Sequence, residues 1–180
     1  ALDSYLYEEE IYTNIPGNIN IRFMGIIDKL VYKKYNDKTI VAIIDYKTGN
    51  PNTNLNNVIY GLDMQLPIYL YLAKNTNKLT NVEVAGFYLQ KILNNEINKD
   101  YKNSYLKLKE NNLKLVGYSN NDIKILNEFD PTYNDSTMIK SLKTTKNGFY
   151  TYSKVISSEN INKITNIIDN KIKENAVDIT

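Results

Sequence analysis

Cysteine and histidine are both absent from this 180-residue chain, and each absence removes a class of chemistry. Without cysteine there are no disulfides, no thiolate zinc sites and no cysteine nucleophile. Without histidine there are no imidazole ligands, and the commonest general base is missing. Any chemistry must come from carboxylates, lysines, tyrosines and bound metal. An excess of one charge is also lacking. Twenty-two Lys and Arg against 20 Asp and Glu leave a formal net charge of +2. That is too little to identify a nucleic-acid binder by composition, although a local patch can carry phosphate contacts on a near-neutral domain. No apolar run approaches the roughly 20 residues that span a bilayer, and no signal peptide opens the chain. Both observations point to a soluble, cytoplasmic protein. There is no internal repeat or long low-complexity tract.

What is present fits a single domain over residues 1–180, long enough to bury roughly 70% of its unfolded surface without staples. The chain opens at Ala1, without an initiator Met and already in a strand-like pattern, and reads as a piece of a larger protein. Residues 5–12 alternate as a strand, and Pro16-Gly17 punctuates them as a turn. Residues 19–34 form a second strand, with Gly25 inside it marking a bulge or a close approach. Asn36-Asp37 turns the chain into residues 39–47, whose Ile40-Val41-Ala42-Ile43-Ile44 run predicts a central strand buried on both faces. A helix is expected within residues 55–74, where Leu62, Leu66, Tyr69, Leu70 and Ala73 recur at helical spacing. Pro67 there either kinks the helix or marks its first turn. Residues 82–93 return as a strand.

Residues 94–137 are polar and Asn/Lys-rich, with a short helix capped by Asn121-Asp122. Asn147-Gly148 is a hairpin signal, and Ser157-Ser158 caps a helix running to Lys173 with Ile161, Ile164, Ile168 and Ile172 on one stripe. The fold class is α/β, a mixed sheet flanked by helices. The core is placed at about residues 5–93, with residues 94–180 as insertion, hairpin and C-terminal helix.

The chemistry concentrates at two strand ends. In Asp45-Tyr46-Lys47 the alternation of side chains puts Asp45 and Lys47 on one face and Tyr46 on the other. Asp28 closes the apolar stretch Gly25-Ile26-Ile27 and joins that face if the two strands pair. Two carboxylates beside a lysine suit metal-dependent phosphodiester hydrolysis: the acids hold a cation that activates water, and the lysine steadies negative charge. A strand end that merely faces water can carry the same residues. An ionised group at the end of a nearly all-apolar strand, however, costs several kcal/mol unless it is paired or metal-bound. Gln65 and Tyr69 are one helical turn apart, and a helix docked on the strand of Asp45 would aim both at the acids. As ordinary core residues they would instead satisfy backbone groups.

Gly25-x-x-Asp28, Asp45-Tyr46-Lys47-Thr48-Gly49 and Gln65-Leu66-Pro67-x-Tyr69 resemble the motif series of the PD-(D/E)XK nucleases, in their RecB-like branch. Gly61-Leu62, the Gly86-Phe87-Tyr88 strand and the Asn147-Gly148 hairpin before a final helix are most similar to the nuclease domains of AddB, one of the two subunits of AddAB helicase–nucleases. The specific part of the resemblance covers about residues 20–90. It implies a restriction-endonuclease-like fold and a Mg²⁺- or Mn²⁺-dependent deoxyribonuclease, exonucleolytic in mode, that processes broken DNA ends beside a helicase partner subunit.

Position by position, the resemblance implies metal ligation by Asp28, Asp45 and the Tyr46 backbone carbonyl, and water activation by Lys47. Gln65 would position Lys47 or the phosphate, Tyr69 would contact DNA, and Thr48-Gly49 would form the exit turn beside the scissile phosphate. Two departures accompany it. The helix that in the family precedes the first strand, and adds an acid or histidine, is not seen; Glu8, Glu9 and Glu10 could replace it or simply form a solvated face. The iron–sulphur cluster of AddB-type proteins is not supported, since the chain has no cysteine.

Lys143 and Lys146, with Lys102, Lys107, Lys109 and Lys140, could follow a phosphate backbone or be ordinary surface lysines. The many tyrosines could stack on bases, although half-buried strand positions account for most of them. A catalytically silent DNA-binding domain and a Cas4-like nuclease are the alternatives. The chain alone is expected to fold yet to cleave weakly.

Overall fold

The computed structural model describes residues 3–15, 19–92 and 104–179. The chain begins with three strands, β1 (Asp3–Ile15), β2 (Ile19–Tyr35) and β3 (Lys38–Lys47), followed by helix α1 (Gln65–Asn75) and strand β4 (Val82–Lys91). This is the element order expected from the sequence. Asn36, with a positive φ of 55°, makes the tight turn between β2 and β3. The Pro16-Gly17 turn lies outside the described residues.

From the second half come α2 (Tyr105–Leu113), β5 (Val116–Asn120), α3 (Ile123–Phe129), the short strands β6 (Thr144–Thr145), β7 (Gly148–Phe149) and β8 (Val155–Ile156), and α4 (Ser158–Ile179). Six strands form one mixed sheet in the order β1-β2-β3-β4-β5-β8, with β6-β7 a separate hairpin. The β3 and β4 strands are parallel and α1 is their crossover, while β4 and β5 are antiparallel and β5 and β8 parallel. Residues beyond 94 thus add two strands to the main sheet, and Ile161, Ile164 and Ile168 of α4 enter its core.

Two apolar layers cover the sheet. On one face Ile27, Leu30, Val41, Ile43, Val84 and Phe87 pack with Leu66, Leu70 and Leu72 of α1 and the isoleucines of α4. On the other, Val31, Ile40, Ala42, Ile44, Ala85 and Tyr88 pack with Leu126 and Phe129 of α3. Thr39 to Asp45 of β3 are all buried, because this strand lies between both layers. Gly25 permits the docking of α1: a Cβ there would sit 2.5 Å from Leu72 Cδ1.

The helix expected over residues 55–74 is two pieces. A 3-10 turn, Leu55–Tyr60, ends at Gly61, whose left-handed φ of 76° lets its N–H reach back to the last carbonyls. After Asp63, also left-handed at φ 53°, α1 restarts at Gln65. Pro67 falls in its first turn, where its missing N–H has no intrahelical partner to lose. The following strand stops at Lys91, short of residue 93. Helix α2 was not anticipated from the sequence: Ser104 Oγ caps it by accepting from the Lys107 N–H, and none of its residues is buried. Asp122 and Ser157 cap α3 and α4 as expected, accepting from the N–H groups of Lys124 and Asn160. α4 runs on to Ile179 rather than stopping at Lys173. In the hairpin the two loop residues are Lys146 and Asn147, with Gly148, at φ 118°, opening β7. No helix among the described residues is long and apolar enough to cross a membrane.

Candidate active site

The carboxyl end of β3 carries the acids, and the pairing of β2 explains how Asp28 reaches them. Lys29 pairs with Ile44 across the antiparallel ladder, which brings Asp28 opposite Asp45 one step further. On its other side β2 carries a bulge. Tyr5 of β1 opposes Leu30 and Tyr7 opposes Ile27, leaving Asp28 and Lys29 together opposite one residue. Such an extra residue re-aims the side chains around it. Phe23 and Ile27 before it, and Leu30 and Tyr32 beyond it, all contact the α1-side core despite their difference in parity.

Asp28 Oδ2 accepts from the Tyr46 backbone N–H at 3.0 Å. The Tyr46 ring itself is exposed, on the face away from α1. Because N–H and C=O of one strand residue point to the same neighbour, the Tyr46 carbonyl is also directed toward the Asp28 side.

Asp45 is only 1% exposed. Its Oδ1 accepts from Gln65 Nε2 at 2.7 Å, and its Oδ2 lies 2.5 Å from Lys47 Nζ. That approach is an ion pair out of line for a hydrogen bond, so Oδ2 is a buried oxygen without a hydrogen bond. Lys47 Nζ donates to Gln65 Oε1 at 2.5 Å, and Gln65 Nε2 also reaches the Tyr69 hydroxyl at 3.0 Å. One amide at the first residue of α1 therefore fixes the orientation of Asp45, Lys47 and Tyr69 together. Burial pushes the Asp45 carboxyl above its usual range; the Lys47 ammonium opposes that and the nearby Asp28 charge adds to it.

Asp28, Asp45, Lys47, Gln65 and Tyr69, singled out in the sequence, meet in one place. Thr48 and Gly49 form an exposed bend directly after Lys47, and nothing lies within 4 Å of a Cβ built on Gly49. Lys143 and Lys146 belong to the β6-β7 region, where Lys143 pairs with Asp135 at 3.0 Å. Lys102 and the side chains of Glu8, Glu9 and Glu10 lie outside what the structure describes.

A cleft of about 150 Å³ opens beside the cluster, lined by Lys47, Thr53, Asp63, Gln65 and Leu89 among others. A larger cavity of about 550 Å³, walled by Lys29, Ile44, Leu115 and Phe129, lies against the α3 face and touches none of the acids. Sequence reasoning missed one element of the cleft wall, Thr53. Its carbonyl oxygen accepts from Lys154 Nζ at 2.8 Å, a contact between residues 101 apart in the chain.

The residues present fit a divalent cation. Among the described residues no group of three acids converges, but Mg²⁺ is commonly held by one or two carboxylates, with waters and substrate oxygens completing its shell. The unsatisfied Asp45 Oδ2, the adjacent Asp28 and the Tyr46 carbonyl constitute such a partial oxygen set.

Two carboxylates and a lysine at the ends of paired strands, locked by a helix-borne glutamine, define a nuclease-type centre, and comparison with known proteins places the chain in a particular group. The chain belongs to the PD-(D/E)XK nuclease superfamily, whose family model matches residues 4–175. It is similar to curated proteins named as the second, or B-type, subunit of an ATP-dependent helicase/deoxyribonuclease. With that of Natranaerobius thermophilus it is 29% identical over 166 residues, 87% of this chain and 14% of the relative. With that of Carboxydothermus hydrogenoformans it is 33% identical over 132 residues, 69% of this chain and 12% of the relative. With that of Limosilactobacillus reuteri it is 35% identical over 143 residues, 74% of this chain and 11% of the relative. The chain therefore spans only about an eighth of the length of these relatives.

Proposed function

We propose that this chain is a metal-dependent deoxyribonuclease domain that hydrolyses DNA phosphodiester bonds from strand ends, working beside a helicase subunit in the processing of broken DNA. The observation that carries the reading is Asp45: a buried carboxylate with one oxygen unbonded, aimed at a second acid and a lysine. Asp28, Asp45 and the Tyr46 carbonyl would hold Mg²⁺ or Mn²⁺. When bound, the cation supplies Lewis-acid polarisation of the phosphoryl group and a lowered pKa for water.

The chain's own residues do the rest. Burial of Asp45 keeps its charge unscreened by solvent. The Lys47 ammonium, about one-third exposed, supplies positive charge where negative charge grows on the phosphoryl oxygens. Gln65 fixes the distance between Asp45 and Lys47, and Tyr69 holds the Gln65 amide from behind. Thr48 and Gly49 leave the approach to Lys47 free for a strand. The helicase association rests on the names of the relatives, which are far longer than this chain.

The test is Mg²⁺-dependent degradation of end-labelled linear DNA by the protein. Cleavage that stops on chelation and returns with Mg²⁺ supports the reading. Cleavage that survives chelation, or a protein that binds DNA and never cuts it with either metal, overturns it and leaves a DNA-holding domain.

A further inference from the structure

Tyr150 and Tyr152 stack on each other, with ring centroids 5.0 Å apart and planes 16° from parallel, yet the rings are 38% and 55% exposed. A stacked aromatic pair left open to water is unusual in a chain that buries Tyr71 and Tyr88 almost completely. The pair is also held rigidly. The Tyr150 N–H donates to the Lys143 carbonyl at 3.1 Å, and the Ser153 N–H donates to the Tyr150 carbonyl at 2.9 Å. Ser153, itself buried, ties the turn to the preceding chain: its hydroxyl contacts the Ser141 carbonyl at 2.9 Å and accepts from the Lys143 N–H at 3.2 Å.

The surroundings are cationic. Residues 136–158 contain Lys140, Lys143, Lys146 and Lys154 and no Asp or Glu, in a chain whose formal net charge is only +2. The nearest acid in a contact is Asp135, on Lys143.

The pair is also placed toward the acid cluster. β5 starts at Val116, which pairs with Leu89, and Leu89 pairs with Asp45. β8 runs parallel to β5 with Val155 opposite Ser119, so the residues just before Val155 point back to the Asp45 end of the sheet. Strands lie about 4.8 Å apart, which puts β8 roughly 14 Å from β3 across the sheet. Lys154 closes part of that gap by donating to Thr53, in the cleft wall beside Lys47 and Gln65.

We infer that Tyr150 and Tyr152, flanked by Lys143 and Lys146, form a stacking platform that grips a base of single-stranded DNA a few nucleotides from the acid cluster. The inference rests on the nuclease reading for its choice of ligand. A base extends the Tyr–Tyr stack on its open side, and the lysines follow the phosphates on either side of that base. Bases in duplex DNA are already stacked on one another, so the platform selects unpaired strand. Rigid rings at a fixed distance from Asp45 also set which phosphate reaches the acids.

The test is fluorescence anisotropy with a short labelled oligothymidylate and a fully abasic strand of equal length, in EDTA so that no cleavage occurs. Tyr152→Ala is expected to weaken oligothymidylate binding roughly 5- to 150-fold, the worth of one base–aromatic stack, and to leave abasic binding unchanged. Tyr152→Phe keeps the wild-type affinity. Lys146→Ala weakens both ligands equally and lowers the salt slope by about one. Thermal melts establish that each variant is folded. Equal affinity of the wild-type protein for the two strands, or a Tyr152→Ala variant that binds oligothymidylate as well as wild type, overturns the inference. Asp45→Asn separates it from the nuclease reading: failure of that reading shows in cleavage that survives the substitution, failure of the platform in binding that ignores the base.

Discussion

Replacing Gln65 by alanine removes three contacts at once: the donor to Asp45 Oδ1 at 2.7 Å, the acceptor of Lys47 Nζ at 2.5 Å and the contact with the Tyr69 hydroxyl at 3.0 Å. The first has a consequence with a definite sign. A hydrogen bond donated to a carboxylate favours its charged form. Asp45 already titrates above the usual carboxylate range because it is buried, so losing Gln65 raises it further. A hydrogen bond to a charged group is worth about 1.5–3 kcal/mol. Gln65 is exposed and water replaces part of the loss, so the lower figure applies.

At 1.36 kcal/mol per pH unit, the acid limb of the cleavage profile should move up by about one pH unit. Stability follows the same proton. A carboxyl whose folded pKa lies above its unfolded value binds its proton more tightly when folded, so stability falls as pH rises from the unfolded to the folded value. Gln65→Ala widens that window. The variant should be less stable than wild type by about 1.5 kcal/mol at neutral pH, and the difference should vanish in acid, where Asp45 is protonated in both. Urea melts at neutral and acidic pH, beside kcat/KM against pH, read both effects. An unmoved acid limb, or a stability loss independent of pH, refutes the role given to this amide.

Lys47→Ala should lower cleavage by roughly 10²–10³, the cost of one lost electrostatic stabiliser, while Mn²⁺ binding tightens because a competing cation leaves Asp45 Oδ2; a titration showing lost metal affinity contradicts this division of roles. Gly117→Ala would set a Cβ 2.2 Å from the Phe87 carbonyl oxygen and 2.8 Å from Tyr88 Cα. It should destabilise by about 1–3 kcal/mol with cleavage per folded molecule unchanged, and a wild-type urea midpoint would refute the packing described for β4 and β5. Tyr71→Phe deletes the hydroxyl bond to Asp169, 2.9 Å long, that ties α1 to α4. About 1 kcal/mol should be lost at neutral pH. Burial and the Asp169 charge push the Tyr71 hydroxyl from 10.0 up to about 12, so wild-type stability falls as pH rises through that interval. The variant escapes that fall, and the gap in urea midpoint should close there.

The parts of the fold legible in the sequence are those with short-range signatures. Alternation in Asp45-Tyr46-Lys47 identified the shared face, the four-residue spacing of Gln65 and Tyr69 identified the helix face aimed at it, and Asp122 and Ser157 marked helix starts. What escaped depends on partners distant in the chain. The bulge at Asp28 and Lys29 exists only in the register of β2 against β1, and no local pattern in β2 announces it. The division of residues 55–74 hinges on the backbone of Gly61 and Asp63, which an apolar spacing count passes over. Helix α2 buries nothing, so it has no apolar stripe to detect. The entry of β8 and α4 into the main sheet and core, and the Lys154–Thr53 tie, join residues far apart in sequence. Tyr150 and Tyr152 stood two apart in plain view, but their stacking in the open depends on the Ser153 turn beneath them.

The central claim is that Asp45 and Asp28 together make a cation site that the fold holds ready. Titrating Mn²⁺ into the protein by calorimetry, with Asp45→Asn beside it, addresses that claim without reference to substrate. The asparagine keeps the volume and the shape of the site but removes one ligand charge. Wild-type protein should bind Mn²⁺ in competition with Mg²⁺, and the variant should lose at least tenfold in affinity, or about 1.4 kcal/mol, with its melting temperature unchanged or higher. Equal Mn²⁺ affinity in both proteins would mean that Asp45 holds no metal, and the proposed chemistry would go with it.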